Sequence, residues 1–237
     1  MGMNRAAIGI FCAVATSLAA VGTASAGDGN VLRVIQESLP GSVAGNSLLV
    51  DQSGATNSLV SGPSDAMRAK VLTQTLELGD LTSAEGDEAR AALQKGERNS
   101  ATITMTGEGG ELQILQDNFA IPSAIGNTAT VNALGNGTLG AVLQLGDGNQ
   151  ASLDLAESSK GLIVQNGFGN KGSLDVEANG SGELIQNGNN NLYPAAVAGG
   201  TTVTVTQNGS NLQPVGVTAL QVFSTNPGTI SVTQTGF

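Results

Sequence analysis

The chain reads as an all-β protein, a β-solenoid of stacked two-stranded strand-turn-strand rungs of about 21 residues each. One observation is a phrase that returns four times: Gln144-Leu-Gly-Asp-Gly-Asn149, Gln165-Asn-Gly-Phe-Gly-Asn170, Gln186-Asn-Gly-Asn-Asn-Asn191 and Gln207-Asn-Gly-Ser-Asn211. Gln144, Gln165, Gln186 and Gln207 are evenly spaced, and a fixed period of this size marks stacked repeats. A second is strand alternation around the phrase. Val142 and Gln144 share one face, as do Asn149, Ala151, Leu153 and Leu155, with Gln150, Ser152 and Asp154 opposite. The third is composition. With 34 glycines, no Trp and 3% aromatic residues, the chain turns often and lacks the large side chains of one thick core.

Residues 1–26 read as a secretory signal peptide that is absent from the fold. Arg5 gives the positive n-region, 6–20 the apolar run, and Ala24-Ser25-Ala26 the cleavage site, with cleavage expected after Ala26. The run is shorter than the roughly 20 residues of a spanning helix, and Cys12 lies inside it rather than at a lipidation site. The mature chain, 27–237, then has no cysteine and no transmembrane segment. A secreted chain without disulfides depends on backbone pairing and packing. Net charge is −10, which argues against nucleic acid or an anionic membrane as a partner.

Residues 27–237 form one continuous repeat domain: irregular rungs over 27–137, regular repeats over 138–211 and a terminal half rung at 228–237. In the irregular part Leu32, Val34 and Gln36 share a face, and Asn46 follows late, after a loop with Pro40-Gly41. Asn46, Leu48, Val50 and Gln52 form the return strand, and Gln52-Ser-Gly-Ala-Thr-Asn57 matches the phrase again. Over 58–92 the pattern weakens: a vague rung from Val71 to Gln74, then a short helical turn or loop from Leu81 to Ala92. Order returns at Gln94-Lys-Gly-Glu-Arg-Asn99, and Gln116 and Asn127 flank a loop through Pro122. About nine rungs follow, with insertions confined to turns. Thr202, Thr204 and Thr206 face outward, Pro214 and Pro227 flank 215–223, and Ile230, Val232 and Gln234 make the last strand.

The recurring amides demand partners, because a buried amide is costly unless its donors and acceptors are paired. Identical rungs about 4.8 Å apart let each amide bond its equivalents above and below. The expected ladder comprises Gln36, Asn46, Gln52, Asn57, Gln94, Asn99, Gln116 and Asn127. It continues through Gln144, Asn149, Gln165, Asn170, Gln186, Asn191, Gln207 and Gln234.

At these residues the sequence resembles the curlin family, the subunits of bacterial curli amyloid fibres, whose repeats follow Ser-x5-Gln-x-Gly-x-x-Asn-x-Ala-x3-Gln. Ser159…Gln165…Asn170 and Gln144…Asn149-Gln-Ala151 sit on that pattern. Its closing glutamine is Leu155, Val176 and Val197 here, and only Asn46…Gln52 keeps it. The resemblance implies a homopolymeric extracellular fibre of a biofilm matrix on a Gram-negative bacterium. It also implies export through the periplasm and a dedicated outer-membrane channel, with nucleator and accessory proteins.

No enzyme is expected. The absence of His and of a mature Cys removes His-based triads, Cys nucleophiles and most zinc sites. The Asp87-Glu88 pair reads as a solvated loop. Gly146-Asp147-Gly148-Asn149 resembles a calcium-binding repeat, but Phe168 and Asn189 replace Asp147 in the next copies. No cofactor or metal is expected. The rival to a fibre subunit is a monomeric secreted β-solenoid adhesin. An ice-binding face on Thr202, Thr204 and Thr206 would need matching threonines on neighbouring rungs, where positions 171, 173 and 175 are Lys, Ser and Asp. The half rung is either a terminal cap or a dock for the next subunit.

Overall fold

The computed structural model describes residues 7–10, 21–26, 28–38, 44–84, 90–118, 125–214, 220–222 and 228–236. The described residues are all-β, with two parallel sheets and one short helix among them. In chain order the strands are β1 (Ala7–Ile10), β2 (Val21–Ala26), β3 (Val31–Glu37), β4 (Ser47–Thr56), β5 (Leu59–Ser61) and β6 (Ala92–Lys95). Next come β7 (Ser100–Glu108), β8 (Glu111–Asp117), β9 (Thr128–Leu134), β10 (Leu139–Asp147), β11 (Gln150–Leu155) and β12 (Lys160–Phe168). The last are β13 (Lys171–Val176), β14 (Ser181–Asn187), β15 (Leu192–Val197), β16 (Thr202–Asn208), β17 (Leu220–Val222) and β18 (Thr229–Thr235).

Sheet A runs β1-β3-β5-β8-β10-β12-β14-β16-β18, with β6 between β3 and β8, and sheet B runs β17-β15-β13-β11-β9-β7-β4-β2. From β7 onward successive strands alternate between the sheets, and each pairs in parallel with the strand one repeat away. Gln144 stands opposite Gln165, Gln165 opposite Gln186, and Gln186 opposite Gln207. The sequence period is thus the spacing between hydrogen-bonded neighbours.

The core lies between the sheets. Val142, Ile163, Leu184 and Val205 of sheet A meet Leu153, Leu174, Ala195 and Val197 of sheet B, all buried. Small and large residues interlock here. Gly140, Gly161 and Gly182 share one sheet A column. A Cβ on Gly161 would come within 2.6 Å of Leu153 and 2.7 Å of Leu155, so these glycines make room for the leucines opposite. Leu155, Val176 and Val197 also form a buried column, apolar where the curlin pattern has its closing glutamine.

The stretch 58–92 differs from its expectation. The segment from Val71 to Gln74 is not a rung: Val71 lies in the last turn of the helix α1 (Asp65–Thr73), and Gln74 caps it in the left-handed region at φ 56°. The Ser64 hydroxyl starts the helix by accepting from the Met67 N–H, with Asp65 in the first turn and Lys70 in the last. Met67 and Val71, four residues apart, face inward. A 3-10 turn, Leu78–Asp80, follows, and 81–84 is irregular. The segment 62–91 is an insertion whose described residues lie against the outer side of sheet A. There Met67, Val71, Leu76 and Leu81 pack on Leu115, Leu143, Leu162 and Val164 to make a second core.

Strands β1 and β2 lie within residues 1–26: β1 pairs with Val31, Leu32, Arg33 and Val34, and β2 pairs with β4 from Ser47 to Gln52, adding a strand to each sheet. The Pro40-Gly41 loop, the Pro122 loop, Asp87-Glu88, 215–219 and 223–227 lie outside the described residues.

The turn after each row glutamine leaves no room for a side chain. Gly146, Gly167 and Gly188 have φ of 98°, 130° and 119°, and a Cβ on Gly167 would sit 2.0 Å from the Gly188 carbonyl oxygen. We expect Gly167→Ala to lower stability by more than about 1 kcal/mol in denaturant titration. Gly79→Ala, where a Cβ meets nothing within 4 Å, should stay near wild type.

Candidate functional site

Two rows of amides run through the interior. Gln36 Nε2 donates to Gln94 Oε1 at 2.6 Å, Gln94 to Gln116 at 2.7 Å, and Gln116 to Gln144 at 2.8 Å. The row continues from Gln144 to Gln165 and from Gln165 to Gln186 at 2.8 Å, then to Gln207 at 2.8 Å and Gln234 at 2.7 Å. From Gln94 to Gln207 each side chain is buried. The second amide hydrogen goes to a backbone carbonyl: Gln144 to Thr128, Gln165 to Gln150, and Gln186 to Lys171.

That second bond fixes the sense of the row. A carbonyl oxygen can only accept, so the amide nitrogen must face it, and Oε1 is left to accept from the preceding glutamine. Every bond in the row therefore points from the N-terminal repeat to the C-terminal one. The row has an acceptor terminus at the Gln36 oxygen and a donor terminus at the Gln234 nitrogen.

The asparagines bind the turns. Asn149 Oδ1 accepts from the Asn170 N–H at 3.1 Å, while its Nδ2 donates to the Gly167 carbonyl at 2.9 Å. Asn170 treats Asn191 and Gly188 the same way, and Asn127 treats Asn149 and Gly146. Each asparagine thus bridges to the next repeat's turn as a peptide group would. Asn46 and Asn99 begin the row, with Asn46 Oδ1 accepting from the Asn99 N–H at 3.0 Å and Asn99 Oδ1 from the Asn127 N–H at 3.1 Å. In the fourth repeat Leu212 takes the asparagine place, and its N–H donates to Asn191.

Gln52 and Asn57 belong to neither row. Gln52 lies on β4 in sheet B, where its Nε2 donates to Ser58 Oγ at 2.9 Å. It occupies the closing-glutamine place instead, beside Met105 at 3.8 Å. Asn57 is an exposed turn residue at φ 50°. Gln52-Ser-Gly-Ala-Thr-Asn57 has the phrase but not its sheet.

Asp147 has a different task from the motif it resembles. Its carboxylate accepts from the Ile125 and Gly126 N–H groups at 2.9 and 2.8 Å and from Asn118 at 3.3 Å, tying down the ends of the preceding loop. Among the described residues no group of three or more His, Cys, Asp and Glu could hold a metal ion. No helix among them is long and apolar enough to cross a membrane.

The outer faces carry the charges. Asp154 and Asp175 stand opposite each other in sheet B, and burial, then Asp154, then Glu177 push the Asp175 carboxyl above its usual range. On sheet A burial pushes Glu183 up, against the opposing Leu78 N–H bond at 2.7 Å and with Glu77 and Asp80 adding to the rise. Thr202, Thr204 and Thr206 neighbour Ser181, Glu183 and Ile185 on one side and Thr229, Ser231 and Thr233 on the other. Lys171, Ser173 and Asp175 lie in the other sheet.

No family model, curated protein or solved structure matches the chain.

Gln165→Ala would strand a buried donor on Gln144 and a buried acceptor on Gln186. At about 1–3 kcal/mol for each unpaired group, the loss should exceed about 2 kcal/mol in denaturant titration, with cooperative unfolding retained.

Asp175 and Glu183 give a pH dependence. Their folded pKa values lie above the unfolded ones, so between the ordinary carboxylate range and the raised values the folded state binds more protons. Stability then falls as pH rises through that window. Asp51, held down by Ser53, and Asp80, held down by Lys70, act oppositely and only at lower pH. The thermal midpoint should be higher near pH 5 than near pH 7, and Asp175→Asn with Glu183→Gln should flatten the difference.

Proposed function

We propose that the chain is a structural subunit of extracellular curli-like amyloid fibres, a β-solenoid that grows by head-to-tail stacking. The observation that carries this reading is the one-way glutamine row, whose two ends are chemically complementary. A donor terminus at Gln234 meets an acceptor terminus at Gln36 only when the tail of one copy faces the head of another.

The end strands suit each other. β18 and β3 are of equal length. Setting Gln234 opposite Gln36 puts Ile230 and Val232 over Leu32 and Val34, so the apolar column continues with the amide row. The same alignment sets Leu220–Val222 over Val50, Asp51 and Gln52 in sheet B, where Val222 continues the Val197 column. Thr229–Thr235 carries no charge, and Val31–Glu37 carries only Arg33 and Glu37. Unpaired strand edges template pairing with another chain, and charge is the usual way to blunt them. A heterologous contact that never closes makes a filament. The terminal half rung is then a dock rather than a cap.

Removal of the leader after Ala26 would take β1 and β2 from the head strands and open that edge. Secretion through the periplasm and an outer-membrane channel, with a nucleator and accessory proteins, and a role in adhesion and biofilm matrix rest on the curlin resemblance. The acidic charge supports a partner that is neither nucleic acid nor an anionic surface.

The test uses purified 27–237 refolded from denaturant and followed with an amyloid dye, electron microscopy and fibre diffraction. Unbranched fibres are expected, with one reflection at about 4.7 Å and another at about 10 Å. A long-lived, dye-negative β-rich monomer would replace this reading with the monomeric adhesin. Within the fibre reading, Gln165→Ala with Gln186→Ala should lengthen the lag. Asp154→Asn with Asp175→Asn should shorten it, because these stacked charges act as gatekeepers. Unchanged lag in both pairs would contradict the roles given to them.

A further inference from the structure

The insertion 62–91 is spliced into a single strand position. β5 pairs Leu59 and Val60 with Val31 and Leu32, and β6 pairs Ala92–Lys95 with Val34, Ile35, Gln36 and Glu37. On the other side Leu59–Ser61 faces Glu111, Leu112 and Gln113, while Leu93, Gln94 and Lys95 face Leu115, Gln116 and Asp117. The three residues of β5 and the four of β6 together match the seven of β3 with none missing. The two ends of the insertion touch: a Cβ on Gly62 would lie 1.9 Å from the Ala91 carbonyl oxygen. Joining Ser61 directly to Ala92 would therefore restore an unbroken strand in register.

What the insertion covers is specific. The outward side of sheet B carries Thr102, Thr130, Ser152 and Ser173 in its central column, with Leu49 and Pro194 at the two ends. The outward side of sheet A is apolar along Leu93, Leu115, Leu143, Val164 and Ile185, then changes in the same column to Thr206 and Thr233. The change coincides with the border of the insertion. A cleft of about 960 Å³ opens there, floored by Thr202, Thr204, Thr206 and Ser231 and walled by Leu76, Glu77, Leu78 and Gly79. Leu115, Leu143 and Val164 are buried because Met67, Val71, Leu76 and Leu81 lie on them.

Buried polar groups hold the cover in place. Glu111 accepts from the Ser83 hydroxyl at 2.6 Å and from the Ala84 N–H, while Arg90 donates to the Ser83 and Gly62 carbonyls at 2.8 and 3.1 Å. Gln113 donates to the Thr82 carbonyl at 2.6 Å, and Glu183 receives the Leu78 N–H at the far edge.

We propose that the insertion 62–91 is a side shield: it occupies a lateral apolar face that would otherwise pack against the same face of a second copy. Two such aliphatic columns are self-complementary, since sheets stack face to face about 10 Å apart, and contiguous apolar patches mark association sites. The shield confines association to the ends of the sheets. Its effect on fibre shape rests on the fibre reading, whereas its effect on the soluble chain does not.

The test compares 27–237 with the same chain lacking 62–91. A third chain combines that deletion with Leu143→Thr, Val164→Thr and Ile185→Thr, extending the hydroxyl column of Thr206 and Thr233. In sedimentation of soluble chains the deletion should dimerise at concentrations at least about tenfold lower than the parent, and the threonine version should return to the parent's behaviour. In micrographs the deletion should give laterally paired or bundled fibres, and the threonine version single ones. Met67→Asp with Val71→Asp in the intact insertion should reproduce the bundling without shortening the chain, which covers misfolding of the deletion. A deletion and an aspartate variant that both associate like the parent would overturn the proposal, as would bundling that the threonines do not reverse. Absence of fibres from every chain would count against the fibre reading, with the sedimentation result still deciding the shield.

Discussion

A primary amide buried among hydrocarbons has two hydrogens and two lone pairs to satisfy, and this requirement governs the interior of the protein. A single glutamine on a single strand could not meet it in a core made of Val142, Ile163, Leu184 and their partners. Stacking does, because each Gln from Gln94 to Gln207 finds the next Gln at 2.7–2.8 Å and a backbone carbonyl for its remaining hydrogen. The arrangement works only in parallel and only in register, since a slip by a single position would put the amides on the outer face. The polar rows thus specify the pairing, and the aliphatic columns beside them supply the driving force.

The asparagine row adds a constraint on the turns. Asn127, Asn149 and Asn170 each receive the next Asn N–H and bind the next Gly carbonyl, which brings the glycine turns so close that Gly146, Gly167, Gly188 and Gly209 stack with no space for a Cβ. A compact turn, a positive φ and a carbonyl aimed along the stack are one solution to one packing problem. It also explains why insertions occur where they do. The connection from Asp117 to Asn127 lengthens a turn and is tied off by Asp147, whereas 62–91 leaves and re-enters a strand at a point where its two ends touch.

Much of this is legible in the sequence because the period and the alternation are independent signals that agree. Gln144, Gln165, Gln186 and Gln207 announce their own pairing, and Val142 or Leu153 beside them give the buried face. The motif alone misleads at Gln52-Ser-Gly-Ala-Thr-Asn57, because what places Gln52 is the strand Asn46, Leu48, Val50 before it, on the sheet opposite the glutamine row. The insertion is hard to read because it divides a strand into pieces of three and four residues, each too short to show alternation. Val71, read as part of a strand, belongs to a helix whose start at Ser64-Asp65 is a recognisable cap. The spaces at Gly140, Gly161 and Gly182 follow from the leucines of the other sheet, a pairing across the core that one strand's pattern does not contain.

The direction of the glutamine row is the feature that most sharply separates head-to-tail stacking from any other association, and it can be read covalently. Residues 27–237 contain no cysteine, so one Cys can be placed at the tail, Thr233→Cys, and one at the head, Ile35→Cys, in separate 27–237 chains. Residues aligned across a parallel pair lie about 4.8 Å apart, within the Cα range of a disulfide. Oxidation after assembly of the mixed chains should yield tail-to-head heterodimers, and a chain carrying both cysteines should yield a covalent ladder of multimers. Predominant head-to-head or tail-to-tail homodimers, or no cross-linking in assembled material, would contradict the account.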